Sequence, residues 1–270
     1  MVDQRTMDIS ISVVSHGQID LVFELLKGLK EHCSATCFEL ILTLNVNEVI
    51  PFAPEDFPFP IRMLKNTIPL GFGANQNQAF TKASGRHFCV INPDIQLMCN
   101  PFPALLLCPN LSSVGVMAPV VVSEEGVLED SARRFPTPFT ILRKLFRQGL
   151  VADYAMRDDP VHPDWVAGMF MMFPREVFER VGGFDERYFL YYEDVDICAR
   201  LRLLGYRAVV CPEARVVHHA QRQSHRNFRY LCWHLQSMGR FFLRFACWRF
   251  MHGSLARPAM TDPSHNEPER

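Results

Sequence analysis

The sequence predicts an α/β fold: a mainly parallel central sheet with helices on both faces, followed by an amphipathic C-terminal helix. Three observations predict it. Short apolar runs of strand length alternate with stretches whose apolar residues recur at three and four. Several runs end in polar residues, Ser15-His16-Gly17, Asn45 and Asn92-Pro93-Asp94, and ligands of parallel sheets gather at the carboxyl ends of strands. The chain has 270 residues, 48% of them hydrophobic and 21% charged, enough length for a buried core and an ordinary composition for a soluble globular protein.

The elements follow in order. Ile9 to Ser15 is an apolar run closed by Ser-His-Gly, hence a buried strand and a turn. Asp20 can cap a helix to about Glu31, with Leu21, Leu25, Leu26 and Leu29 on its inner face. Phe38 to Leu44 is a second strand, and Ile61 to Leu64 a weaker third. Gly71 to Ser84 reads as a helix after a glycine-containing entry, His87 to Ile91 as a fourth strand and Val114 to Val122 as another. Glu124 to Pro163, dotted with prolines and lacking a clean period, reads as a connecting segment. Trp165 to Phe173 is strongly apolar, and Pro174 starts a helix to Val181, since proline is tolerated in a first turn. Asp194 to Leu204 carries Ile197, Leu201 and Leu204 at core spacing. Arg207 to Cys211 is a late strand, followed by Val216-Val217-His218-His219. Arg226 to Met251 is helical, with Phe228, Leu231, Leu235, Met238, Phe242 and Phe245 forming a stripe; beyond Arg257 the chain is polar and frays.

Charge and cysteine usage narrow the function classes. A net charge of −1 excludes a strong overall preference for nucleic acid. Between Ala214 and Thr261, however, there is no Asp or Glu, while Arg215, Arg222, Arg226, Arg229, Arg240, Arg244, Arg249 and Arg257 all fall there. That asymmetry points to an anionic partner, phosphate groups or an anionic membrane face. The nine cysteines are never spaced as CxxC, and no histidine cluster completes a zinc set around Cys33 and Cys37. Reduced thiols in a cytosolic protein account for them. Met1 to Asp8 lacks the apolar region of a signal peptide, and the apolar zone from Phe102 to Val122 is broken by Pro103, Pro109 and Pro119.

Four constellations can carry chemistry. From Gly182 to Asp196 the carboxylates Asp185, Glu193, Asp194 and Asp196 stand beside Phe184, Tyr188, Phe189, Tyr191 and Tyr192. Carboxylates held against apolar walls have shifted proton affinities, as general acid–base chemistry requires. The alternative is a wet loop with helix capping, because Asp194 and Asp196 lie in a first turn where the helix dipole favours negative charge. Asn92-Pro93-Asp94 delivers Asp94 to the sheet edge, where one carboxylate suits a magnesium ion that takes its other ligands from phosphate and water; the alternative is a plain turn. His218 ends an apolar run beside His219, and on a strand the two rings face opposite sides, so one alone enters a given site. A lone histidine is otherwise structural, unless Asp94 and Asp194 converge on it. Finally, Asn66 to Gln78 contains Gly71 and Gly73, which allow close backbone approach, a helix N-terminus that can face an anion, and Asn66, Asn75 and Asn77, whose amides can grip hydroxyls. It is neither a Walker loop nor a GxGxxG.

The order of these motifs resembles one family: strand-Ser-His-Gly; Asn66 through Gly71-Phe-Gly-Ala-Asn75-x-Asn77; Ile91-Asn-Pro-Asp-Ile95; Trp165-Val-Ala-Gly-Met-Phe; Gly182-Gly-Phe-Asp-Glu; Tyr192-Glu-Asp-Val-Asp196; and Gly205-Tyr-Arg before His218. Over roughly residues 8 to 245 the chain looks like an inverting glycosyltransferase of family 2, rhamnosyltransferase-like branch, with the nucleotide-sugar fold called GT-A. The resemblance implies that Asp94 and His218 hold a divalent cation, Mg2+ or Mn2+, bound to the donor diphosphate. It implies that Asp194 is the general base toward the acceptor hydroxyl. Ser15, His16, Asn45, Asn66, Asn75 and Asn92 would lie at the nucleotide-sugar donor, and Trp165, Gly168, Asp185, Glu193 and Asp196 at the acceptor. The implied donor is dTDP-rhamnose, with UDP- or GDP-sugars as alternatives; the acceptor is a saccharide or a polyprenyl-diphosphate-linked sugar of bacterial surface polysaccharide. Two departures stand out. Leu44-Asn45 replaces the family's Asp-Asn, leaving Asn45 or Glu48 as substitute readers of the base, and Asn92 replaces the first acid of the family's DxD.

The organisation expected is a catalytic domain over 1–222, a basic, aromatic helical extension over 223–257 and a frayed tail over 258–270. The extension either lies on an anionic inner membrane, making the protein cytoplasmic and peripheral, or packs on the catalytic domain or on a second copy in a homo-oligomer. A non-catalytic sugar-nucleotide-binding or scaffold protein of the same fold is the rival reading, and a metal-dependent hydrolase a remoter one.

Overall fold

The computed structural model describes residues 7–107, 113–141, 153–156, 159–219 and 228–252, with side chains of the last helix to Phe245. The boundary expected at 222/223 and the tail over 258–270 lie outside them, as do Arg222, Arg226 and Arg257. An eight-stranded sheet runs in the order β3-β2-β1-β4-β9-β6-β10-β5. Its strands are β1 (Ile9–Ser15), β2 (Phe38–Leu44), β3 (Ile61–Lys65), β4 (His87–Ile91), β5 (Ile95–Gln96), β6 (Val114–Val122), β9 (Phe170–Pro174) and β10 (Arg207–His218). β7 (Ala132–Arg133) and β8 (Trp165–Val166) form a separate antiparallel pair. β1 pairs in parallel with β2 and β4, β2 with β3, and β6 with β10; β9 runs antiparallel between β4 and β6.

Strand alternation decides which side chains meet which layer of helices. Ile9, Ile11, Val13, Leu40, Leu42, Cys89 and Ile91 face one side, packing with Val22, Leu25, Leu26 and Leu29 of α1 (Ile19–His32) and with Phe102 and Leu105 of α3 (Phe102–Leu106). Ile41, Phe88 and Val90 face the other side. There they meet Ala79 of α2 (Phe72–Phe80), Phe178 of α4 (Arg175–Val181), Ile197 and Leu201 of α5 (Glu193–Leu203), and Phe241 of α6 (Phe228–His252). Ser10 and Ser12 also face the second side, and each is satisfied: Ser10 Oγ donates to Glu39 Oε1 at 2.7 Å and Ser12 Oγ to Gln76 Oε1 at 2.6 Å.

The structure corrects three readings. The helix expected to Ser84 ends at Phe80. The late strand does not stop at Cys211 but continues to His218 across an irregularity between Cys211 and Arg215, so Val216 to His218 belong to β10. The segment from Glu124 is no simple connector: Leu128 bridges Val122, β7 pairs with β8, and Val161 bridges Val210. None of the described cysteines is in a disulfide, Cys33 and Cys37 included, and no helix of the described residues is long and apolar enough to cross a membrane.

Candidate active site

Asp94 and His218 meet because β5, directly after the Asn-Pro-Asp turn, pairs antiparallel with the end of β10, setting His218 opposite Ile95. The His219 amide donates to the Asp94 carbonyl at 2.9 Å and fixes that register. His218 Nε2 then lies 3.3 Å from Asp94 Oδ2, and its Nδ1 lies 2.7 Å from Glu129 Oε2. His219 points the other way, to Glu124 and Gln96, as strand alternation requires. Burial alone would lower the His218 pKa, but the Asp94 and Glu129 carboxylates outweigh it and raise it to about 9.

These residues fit a divalent cation of limited protein ligation. Asp94 Oδ1 is buried without a partner, and Glu129 holds the second ring nitrogen as carboxylates do in carboxylate–histidine–metal sites. Among the described residues no cluster of three His, Cys, Asp or Glu is arranged to hold an ion. Two protein ligands suit a cation that takes the rest from phosphate oxygens and water.

Asp194 stands on the far side of a single turn. Its Oδ2 accepts the Gly168 N–H at 3.0 Å and its Oδ1 the Val195 N–H at 2.8 Å. The next residue, Met169, gives its carbonyl to the Asn92 N–H at 2.9 Å. The Ala167–Met169 turn between β8 and β9 therefore touches the candidate base on one side and the Asn-Pro-Asp turn on the other. Burial raises the Asp194 pKa against the two N–H bonds and the nearby Arg133 guanidinium. Burial, and then the Asp194 charge, push Glu193 well above the usual carboxylate range; its Oε2 is buried and unpartnered.

Of the donor-side residues, Asn45, Asn66 and Asn75 form one amide network. Asn66 Nδ2 donates to Asn45 Oδ1 at 2.9 Å and to Asn75 Oδ1 at 2.7 Å, while Asn45 Oδ1 also takes the Leu70 N–H. Asn45 Nδ2 contacts His16 Nδ1 at 3.1 Å, and the His16 ring is exposed. Ser15 is buried, donating to Glu48 Oε2, which also takes the Ile19 N–H at the start of α1. Asn92 enters through its main chain, at Met169 and Ile95. Leu44, where the family's Asp would stand, is core; Glu48 Oε1 near that edge is buried and unpartnered.

Several expected roles change. The first N–H of α2 is already taken: Phe72 N–H donates to the Phe189 carbonyl, and a Cβ at Gly71 would lie 2.6 Å from that oxygen. Gly71 and Gly73 permit packing on residues 184–189 rather than on a ligand. Asn77 grips no hydroxyl, because it is bonded to the backbone of Phe184 and to Glu186. Asp196 has 0% exposure and holds Arg200 and Arg244, so it cannot touch an acceptor as folded. Asp185 is tied to Arg187 and Arg244, and Arg187 first among its partners lowers its pKa to about 2. Trp165 is buried, its indole N–H donating to the Arg134 carbonyl and its face covered by Arg133. Glu193 is 5% exposed, and the Gly168 N–H is bonded to Asp194, so both line the buried side of the Asp194 carboxylate rather than an open pocket. Sequence reasoning missed Glu129 and Arg133, whose only signal was a charge cluster, Glu129-Asp-Ser-Ala-Arg133-Arg134, inside an aperiodic stretch.

The fold is that of GT-A glycosyltransferases. Similar solved structures include GalNAc-T7 with UDP, GalNAc and Mn2+, at TM-score 0.61 and 15% identity over 80% of this chain and 44% of that one. A second is the mannosyltransferase PcManGT of Pyrobaculum calidifontis with GDP-Man and Mn2+, at TM-score 0.58 and 19% identity over 87% and 64%. The chain belongs to glycosyl transferase family group 2, whose model matches residues 112–257, just over half its length. Among curated relatives it is similar to the N-acetylglucosaminyl-diphospho-decaprenol L-rhamnosyltransferase of Mycobacterium tuberculosis, 30% identical over 187 residues, 59% of each chain. It is also similar to the rhamnosyltransferase WbbL of Escherichia coli (strain K12), 28% identical over 250 residues, 87% of this chain and 92% of that one. The match thus spans little more than half of the mycobacterial relative.

Proposed function

We propose that this chain is an inverting glycosyltransferase moving a deoxyhexose, rhamnose from dTDP-rhamnose, onto a saccharide or polyprenyl-diphosphate-linked acceptor of bacterial surface polysaccharide. The observation that supports the reading is the Ala167–Met169 turn, which bonds to the Asp194 carboxylate and to the Asn92 backbone and so links the proposed base to the Asn-Pro-Asp turn that carries Asp94. In a single displacement the attacking hydroxyl and the leaving diphosphate lie on opposite faces of the sugar. One carboxylate acting as base, with no nucleophile between, then gives inversion. Asp194, with its raised pKa, takes the acceptor proton, while Gly168 and Val195 hold its two oxygens. Asp94 and His218 would hold Mg2+ or Mn2+, which neutralises charge growing on the leaving group. The names of the two rhamnosyltransferases support the sugar, and that of the mycobacterial one supports a lipid-diphosphate acceptor.

A lipid-linked acceptor agrees with the outward face of α6. Phe228 is 78% and Leu243 76% exposed, with Leu231 and Leu235 between them, and no acid occurs from Ala214 to Thr261. We place that face on the anionic cytoplasmic leaflet. The full chain should float with anionic liposomes and a chain ending near Arg222 should not; equal flotation removes the membrane from the reading.

The test of activity is purified protein with dTDP-rhamnose, UDP- and GDP-sugars and an N-acetylglucosaminyl-diphospho-polyprenol acceptor, with and without Mg2+ or Mn2+. Transfer with inverted anomeric configuration is the expected result. Donor binding without any turnover would favour a non-catalytic scaffold, and free sugar without acceptor a hydrolase.

A further inference from the structure

Tyr191 and Tyr192, immediately before Glu193 and Asp194, have φ of 69° and 67°. They are the only described non-glycine residues in the left-handed region, a conformation that costs roughly 1–2 kcal/mol per residue. Such a turn persists only where its surroundings hold it. Here the surroundings are α6. Ser237, 4% exposed, donates from Oγ to the Leu190 carbonyl at 2.9 Å, directly before the two tyrosines. The His234 ring meets Tyr191 at 5.2 Å and Tyr192 at 5.5 Å, and Phe241 packs on Tyr192 at 5.5 Å. Arg244 Nη1 spans Asp185 Oδ2 at 2.7 Å and Asp196 Oδ1 at 3.1 Å, tying together two points on either side of the turn. Trp233 packs on Phe189 and Arg240 lies over Tyr188. One helix, distant in sequence, thus touches every residue from Tyr188 to Tyr192.

We infer that α6 is a positioning element for the base, with Ser237 and Arg244 as positioning residues that hold the strained turn so that Asp194 stays on the Gly168 amide. The inference rests on reading Asp194 as the base, but its physical content does not. Without Ser237 or Arg244, Tyr191 and Tyr192 relax toward ordinary dihedrals and rotate the start of α5, carrying Asp194 off Gly168. Misplacement of a reacting group by an ångström can cost on the order of a hundredfold in rate.

The experiment uses the full chain as Ser237→Ala, Arg244→Met, Arg244→Lys and, as a control at an exposed site outside α6, Leu107→Ala. Hydrogen exchange followed by mass spectrometry reads the Gly168 and Val195 amides; transfer kinetics read kcat apart from KM. Ser237→Ala and Arg244→Met should speed exchange at Gly168 by about tenfold or more, while amides of β1 and β2 keep their wild-type rates. They should lower kcat by at least about tenfold with donor affinity and acceptor KM little changed. Arg244→Lys should recover part of the loss, and Leu107→Ala should match wild type. Wild-type exchange at Gly168 in both variants would overturn the inference, as would faster exchange spread evenly through β1 and β2 in Ser237→Ala, the milder change. If the wild-type protein moved no sugar, the base assignment would fall and the exchange comparison alone would decide whether α6 holds this carboxylate.

Discussion

Replacing Asp194 with Asn separates the chemistry of this side chain from its structural work. The carboxylate accepts two backbone amides, Gly168 N–H on Oδ2 at 3.0 Å and Val195 N–H on Oδ1 at 2.8 Å. An amide offers one acceptor oxygen and one NH2 group, so one backbone N–H must face a donor. Leaving a buried donor unpaired costs about 1–3 kcal/mol. A second effect opposes it. Burial raises the Asp194 pKa, so the protonated form is the one the fold favours. The stability that form contributes is present below the unfolded pKa of about 3.9 and is lost as pH rises through the raised folded value. At neutral pH the ionised group is therefore a net cost, which Asn removes. The two effects largely offset, and the melting temperature should change little. Transfer should not survive: a positioned base contributes roughly 10²–10⁴-fold, or about 2.7–5.4 kcal/mol of barrier. Initial rates at saturating donor and acceptor, donor affinity by calorimetry and a thermal melt make the measurement. A folded variant that binds donor and keeps kcat within about tenfold of wild type refutes the assignment, since that lies below the range for a general base. In the wild-type protein kcat should rise with pH through an apparent pKa above the ordinary carboxylate range, a value belonging to the Glu193–Asp194 pair together.

Glu129→Gln keeps an acceptor near His218 Nδ1 but removes its charge, so Mn2+ affinity should weaken by about 10–100-fold; an unchanged calorimetric dissociation constant would count against the two-ligand cation site. Glu193→Gln copies the protonated acid that burial favours, and should melt within a few degrees of wild type at pH 7; a large fall would mean the carboxylate is ionised in the fold. Gly183 has φ +67°, and a Cβ there would lie 2.4 Å from Asn77 Oδ1, whereas Gly182 has φ +77° with nothing within 4 Å. Gly183→Ala should therefore cost at least about 2 kcal/mol, and Gly182→Ala about half that; equal melting temperatures for the two would refute the packing argument.

The frame was legible because its signals are local. β1, β2, β4 and β6 have the bounds that their apolar runs predict, since a strand buried on both faces reads as a continuous run. The meeting of Asp94 and His218 was also legible, though through motif order rather than spacing. Glu129 and Arg133 were not. They sit in a stretch whose position comes from two bridges and a two-residue strand pair, and nothing periodic in the sequence announces pairing that short. The acidic cluster misled for a different reason. Asp185, Asp194 and Asp196 look equivalent in sequence, but the first and third are occupied by arginines, one of them, Arg244, supplied by a helix far along the chain.

That occupation gives a physical rule for sorting the acids of this protein. Glu39 is tied by Ser10 and Ser84, and Asp196 by Tyr188, Arg200 and Arg244, so both belong to the scaffold. Glu48, Asp94, Asp130 and Glu193 each keep one carboxylate oxygen buried without a partner. Folded proteins leave few buried polar atoms unsatisfied, and each such atom calls for a reason. Three of the four lie just after β2, just after β4 and within the Glu129–Arg133 segment, and the fourth adjoins Asp194. A buried carboxylate oxygen without a partner is tolerable where a bound ligand supplies what the chain does not. Their persistence marks these carboxylates as candidates for contact with a ligand, and Glu193 and Asp194, at one end of that set, also carry carboxylate pKa values raised by burial.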